Sequence, residues 1–128
     1  MARRRSIHVE GLGHKHPIPV ASRVGNIVAS SVISGVDPQT GKIPDTLEEQ
    51  AETAFANMRR IIEAAGASPD DVIKVGVYMD DPTRRDAINR PWLELFPDED
   101  SRPARHTQQD SLLGKRLIAL EFIAVLSD

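Results

Sequence analysis

Thr46-Leu47-Glu48-Glu49-Gln50-Ala51-Glu52-Thr53-Ala54-Phe55-Ala56-Asn57-Met58-Arg59-Arg60-Ile61-Ile62-Glu63-Ala64-Ala65-Gly66 is the stretch that decides the fold class. Leu47, Ala51, Ala54, Phe55, Met58, Ile61, Ile62 and Ala65 recur at three- and four-residue spacing, which places them on one stripe of an α-helix over residues 46–65. Asp45 or Thr46 can cap the first turn, Glu48 and Glu49 suit its positive end, and Gly66 stops it. Arg59, Arg60 and Glu63 fall off the stripe and belong in solvent. Such a stripe needs a cover, and the flanking sequence supplies a sheet.

After the helix, Ser68-Pro69-Asp70-Asp71 turns the chain into a β-branched strand over residues 72–79. Asp80-Asp81-Pro82 leads into a second helix through Trp92, Leu93 and Phe96, which Pro91 is expected to break or kink. Two strands follow, over 104–110 and 117–126, joined by a loop containing Gly114. Before the helix, Asp37-Pro38-Gln39-Thr40-Gly41 is turn chemistry. Gly25-Asn26 signals a hairpin between an extended segment over 17–24 and a returning strand over 27–33. A short strand over 7–9 precedes the loop Gly11-Leu12-Gly13-His14-Lys15-His16-Pro17. The order is β-β-β-α-β-α-β-β: an α+β domain with one mixed sheet and both helices on one face. The other apolar face then needs a partner, which predicts a homo-oligomer.

A chain of 128 residues fits one domain; residues 1–16 read as a tail with a short strand and 17–128 as the domain proper. Hydrophobic residues make up 40% and charged ones 27%, ordinary values for a globular protein, and no apolar run approaches the ~20 residues of a membrane span. Arg3, Arg4 and Arg5 have no apolar segment behind them, so residues 1–5 read as a frayed, solvated tail rather than a secretory signal. The net charge of −3 with those arginines in the tail leaves an acidic body, which argues against nucleic acid as a partner. The absence of cysteine excludes disulfides, thiolate catalysis and cysteine-based zinc sites, and points to the cytoplasm.

The candidate anion site is Ser101-Arg102-Pro103-Ala104-Arg105-His106-Thr107-Gln108. Pro103 fixes φ and lacks an N–H, so it suits a strand start or edge. Arg105 then shares a strand face with Thr107 and Gln109, and its planar fork fits a carboxylate with two parallel hydrogen bonds. The competing reading is a surface arginine in a weak ion pair.

With these pieces in order, the chain resembles the YjgF/RidA family of small trimeric proteins, some of which are labelled endoribonuclease L-PSP or translation initiation inhibitor. The resemblance rests on Gly25-Asn26, Asp37-Pro38-Gln39-Thr40-Gly41, Gln50 with Asn57, Ala64-Ala65-Gly66-Ala67-Ser68, Asp71-Val72-Ile73-Lys74, and Val77-Tyr78-Met79-Asp80. Asn89, Phe96, Pro103-Ala104-Arg105 and Glu121-Phe122-Ile123-Ala124 complete it, over roughly residues 17–126. It implies a chorismate-mutase-like fold and a homotrimer with helices outside and ligand clefts between subunits. The activity it implies is hydrolysis of reactive 2-enamine and 2-imine acids to 2-keto acids and ammonia, with neither metal nor cofactor. In that branch the arginine matching Arg105 binds the substrate carboxylate, and Asn89 matches a position near the cleft.

The departures bear on the chemistry. The branch has tyrosine where this chain has Ile18, and Ser-Gly-Gln where it has Ser31-Val32-Ile33. It has a small residue at Thr107, and at Ala119 a glutamate thought to position the hydrolytic water. Glu121 shares the strand face of Ala119 but sits two residues, ~7 Å, along. Glu121 therefore cannot serve unchanged as the same water-holder, and the pocket is expected to be competent for an anionic ligand but altered in its water site; Arg105 and Glu121 are the candidate catalytic residues. Arg105, Ile18, Val32, Thr107, Asn89 and Ala119 are the candidate binding positions.

His14 and His16, without a carboxylate nearby, fall short of a metal site; either can instead supply an acid–base group in place of Ala119. His106 points away from Arg105, Trp92 and Phe96 read as core, and Asp98-Glu99-Asp100 reads as a solvated loop. Two functions compete: an enamine/imine deaminase or close hydrolytic relative, and a non-catalytic trimer that senses a small carboxylate. A ribonuclease reading is disfavoured by the acidic body and the lack of aromatic platforms.

Overall fold

The computed structural model describes residues 3–127. The elements run β1 (Arg4–Ile7), β2 (Ala21–Val24), β3 (Ile27–Ser30), β4 (Ile33–Ser34), α1 (Leu47–Ala64), a 3₁₀ turn (Pro69–Asp71), β5 (Val72–Met79), α2 (Asp86–Leu95), β6 (Ala104–Gln109) and β7 (Ile118–Val125). All strands join one sheet in the order β1-β2-β3-β7-β5-β6, with β4 also on β7. The β5–β6 pair is parallel and the others antiparallel, so the sheet is mixed and the fold is α+β as expected.

Helix α1 follows its sequence pattern closely. The eight stripe residues are all buried, and each large one contributes ~1.5–3 kcal/mol on burial. Thr46 caps the first turn by accepting from Glu49 N at 3.2 Å. At the other end Gly66 takes φ +81°, Gly66 N donates to Glu63 O, and Ala67 N donates to Ile62 O at 3.1 Å. That pair of bonds is a Schellman closure, and it explains why glycine stands there.

Two polar residues are also buried on α1. Gln50 Nε2 donates to Pro44 O (2.9 Å) and Lys115 O (3.0 Å), while its Oε1 accepts from Leu117 N (2.8 Å). Asn57 Nδ2 donates to Ser34 O (3.0 Å) and Val36 O (2.7 Å), and its Oδ1 accepts from Arg60 Nη1 (2.8 Å). A buried amide is tolerable only when satisfied in this way. These two side chains hold the loops before and beside α1 against the helix.

The structure corrects four sequence expectations. The first strand is Arg4–Ile7, not residues 7–9, so Arg4 and Arg5 pair with Val24 and Arg23 instead of fraying; Met1 and Ala2 lie outside the described residues. Backbone pairing is indifferent to side-chain polarity at a sheet edge, which is why the charge run misled. The extended segment 17–24 becomes strand only from Ala21. The strand over 27–33 is two strands, because the register against β7 slips by one residue between Ala29↔Ile123 and Ile33↔Leu120. Ser30 Oγ accepts from Phe122 N at 2.9 Å across that bulge, replacing a main-chain acceptor. Finally, of the break or kink expected at Pro91, the break does not occur: α2 is one helix from Asp86 to Leu95. The proline is buried and lines the groove between the helices together with Phe55, so ring packing offsets the lost hydrogen bond.

Both helices lie on the sheet face formed by Val75, Val77, Met79, Ile118, Leu120 and Phe122, all buried. The opposite face carries Ile27, Ile123 and Val125, which are 57%, 43% and 43% exposed. Among the described residues no helix is long and apolar enough to cross a membrane.

Candidate functional site

Strand β6 forms one edge of the sheet, and its parallel register places Arg105 beside Val75 and Thr107 beside Val77. Those valines are buried toward the helices, so Arg105, Thr107 and Gln109 share the helix side, as alternation predicts. Arg105 there meets α2. Its Nη2 donates to Asn89 Oδ1 at 3.1 Å, and its Cζ lies 4.9 Å from the centroid of the Trp92 ring. Trp92 is fixed in turn by an edge-to-face contact with Phe96, centroids 4.8 Å apart at 63°. Trp92 is thus core and platform at once.

The second arm of the guanidinium is the telling feature. Arg105 Nη1 is buried and has no hydrogen-bond partner among the described residues. An unmet charged donor is expensive, so a native protein leaves one only where something else completes it. Burial lowers the proton affinity of Arg105, and the nearby Arg85 lowers it further. No carboxylate of the described residues pairs with Arg105, which removes the surface ion-pair reading.

Two other candidates, Glu121 and Ala119, occupy the opposite sheet face. Glu121 and Ala119 alternate on β7 beside Gly76 and Tyr78 of β5. Tyr78 Oη donates to Glu121 Oε1 at 2.6 Å. That bond, then burial, then the Glu121 charge raise the Tyr78 pKa, so the phenol remains a donor. Gly76 makes the room: a Cβ there would stand 3.0 Å from Glu121 Cγ and 3.2 Å from its Oε1. Ala119 is buried, with Tyr78 and Ser34 as cross-strand neighbours.

Ile18 and Val32 form a third group. Ser31 donates from Oγ to Pro19 O (2.7 Å) and from N to Val20 O (2.9 Å), stitching together the two segments that carry Ile18 and Val32. Both side chains are exposed, 44% and 60%. The structure therefore bonds Arg105 to Asn89, ties the segments of Ile18 and Val32 together, and sets Glu121 and Ala119 on one strand face. It does not bring Arg105 and Glu121 together within one chain, because they project from opposite sheet faces.

The His14 and His16 rings lie 5.5 Å apart, tilted by 41°, in an exposed loop, and His14 Nδ1 accepts from His16 N. Among the described residues no group of three or more potential ligands could hold a metal ion. His106, exposed, pairs in register with Gly76 on the face away from Arg105. Sequence reasoning missed the roles of Tyr78, Gly76, Trp92 and Arg85. Gly76 and Tyr78 share one parity on β5, and Arg85 precedes Asn89 by one helical turn; those were the available signals.

Comparison with known proteins defines the class. The profile of the family described as Endoribonuclease L-PSP matches residues 16–126. A RutC family protein of Pyrococcus abyssi is 37% identical over 110 residues, 84% of this chain and 85% of its own length. The 2-iminobutanoate/2-iminopropanoate deaminase of Escherichia coli is 31% identical over 104 residues, 80% and 81% of the two chains. The crystal structure of E. coli TdcF with bound serine superposes with a TM-score of 0.88 at 30% identity, covering 96% of this chain and 99% of that one. The chain belongs to the YjgF/RidA family, the Endoribonuclease L-PSP family of the profile.

Proposed function

We propose that the protein is a hydrolase of small carboxylated enamines or imines, giving a 2-keto acid and ammonia. The observation that carries this reading is the buried, unmet Nη1 of Arg105, held in place by Asn89 and Trp92. The fork takes the substrate carboxylate with two charge-assisted bonds. Water adds to C2 of the imine, the nitrogen takes up a proton, and C–N cleavage releases ammonia and leaves the ketone. Glu121, oriented by Tyr78, is the acid–base group of this scheme. The reaction as written uses water and side chains alone.

Because Arg105 and Glu121 face opposite ways, a shared cleft requires a neighbouring copy, and the reading includes a homotrimer with clefts between subunits. The exposed Ile27, Ile123 and Val125 support an apolar contact on the open face. Light scattering is expected to give three times the chain mass; a monomer mass at micromolar concentration overturns the assembly.

The chemistry is tested by generating 2-iminobutanoate enzymatically and following its disappearance, with and without this protein. Acceleration supports the hydrolase. Ala119, buried where relatives of the resembling branch carry a glutamate, favours a second reading in which the trimer binds or senses a small carboxylate without turning it over. Tight keto-acid binding with no acceleration decides for that second reading.

A further inference from the structure

We infer that the ligand of the Arg105 site is a dicarboxylate, one acidic group on Arg105 and the other on Arg85; the inference rests on the carboxylate-site reading above. Arg85 precedes α2 with already helical angles, φ −64° and ψ −22°. Residues four apart on a helix share a face, so Arg85, at the start of α2, stands one turn from Asn89, the residue that holds Arg105 Nη2.

The neighbouring arginines are all engaged. Arg84 pairs with Glu48 and, at 3.4 Å, with Asp86. Arg90 pairs with Glu94 at 3.6 Å, and Arg102 donates to Phe96 O and Pro97 O at 2.9 and 3.3 Å. Arg85 and Arg105 meet no carboxylate within salt-bridge distance among the described residues. Arg85 is exposed and free to reach a ligand, while Arg105 presents its buried, unmet Nη1.

The two cations are close enough for the charge of Arg85 to act on Arg105, after the larger effect of burial. Like charges set together raise the free energy of the empty site. A monocarboxylate neutralises one of them, and a dicarboxylate neutralises both. A deaminating hydrolase with this site would take imines whose side chain ends in a second carboxylate.

The test is calorimetric, on the full chain at low salt, with 2-ketoglutarate and 2-oxopentanoate. These acids have the same length and differ by a carboxylate in place of a methyl group. The parent protein is expected to bind 2-ketoglutarate at least about tenfold more tightly, the scale of one charge-assisted contact. Arg85→Gln is expected to bring the ratio of the two affinities near unity, with Arg85→Lys retaining part of it. Thermal melting of each variant reports its folding; the Arg85 side chain is exposed and makes no cap hydrogen bond at the start of α2. Equal affinity of the parent for both acids overturns this inference while leaving the Arg105 site standing. A preference that survives in Arg85→Gln overturns it too, as does tighter binding of inorganic phosphate than of 2-ketoglutarate. If the parent binds neither acid, the carboxylate reading falls and this inference falls with it.

Discussion

Arg105→Ala is expected to lower affinity for small carboxylates by at least ten- to a hundredfold while leaving the melting temperature close to that of the parent. The lower bound is one charge-assisted hydrogen bond, ~1.5–3 kcal/mol, and a bidentate contact loses more. Stability is spared because the parent carries a buried donor with no partner, and truncation relieves that cost even as the contact over Trp92 is lost. Arg105→Lys is expected to recover little, since an ammonium is a point charge and cannot present the planar fork. Calorimetry with 2-ketobutyrate checks both variants. Undiminished affinity in Arg105→Ala moves the site elsewhere.

The largest effect on stability is expected at Gly35. A Cβ there would lie 2.4 Å from Gln50 O and 2.9 Å from Gln50 Cα, both atoms of the helix backbone. Neither can rotate away, so α1 must shift at the turn where Gln50 ties Pro44, Lys115 and Leu117 together. Overpacking of this kind costs ~3 kcal/mol or more, which for a chain of this size lowers Tm by roughly 10 °C. Gly13→Ala is the control, because a Cβ there meets nothing within 4 Å. A Tm for Gly35→Ala matching that of the control defeats the argument.

What could be read in advance follows from the range of the interactions. Local patterns carried α1, its Thr46 cap and its Gly66 stop, because cap, stripe and closure all lie within a few residues of one another. The faces of β6 followed from alternation, which is why Arg105 and Thr107 were placed correctly relative to each other. Gln50 entered only through the resemblance; its bonding role was illegible because its partners at Lys115 and Leu117 are 65 and 67 residues away. The Tyr78–Glu121 bond spans 43 residues and exists only through the register of β5 on β7, which no single-strand pattern encodes. Trp92 was assigned to the core because a buried aromatic shows in sequence only as hydrophobic spacing. Its use as a platform depends on which strand edge lies over it.

The parallel pairing of β5 with β6 has an evolutionary consequence. Arg85, Asn89, Trp92 and Arg105 all belong to the single crossover β5–α2–β6, so the proposed anion receptor is encoded by one continuous stretch of about 20 residues. Glu121, Ala119, Ile18 and Val32 are supplied by other parts of the chain. Mutational drift at Arg85, Asn89, Trp92 and Arg105 can therefore retune what the proposed receptor recognises while Glu121 and Ala119 on β7 stay as they are. On the proposed reading, the arginines that would hold the carboxylate and the Glu121 that would move the proton are inherited on separate segments.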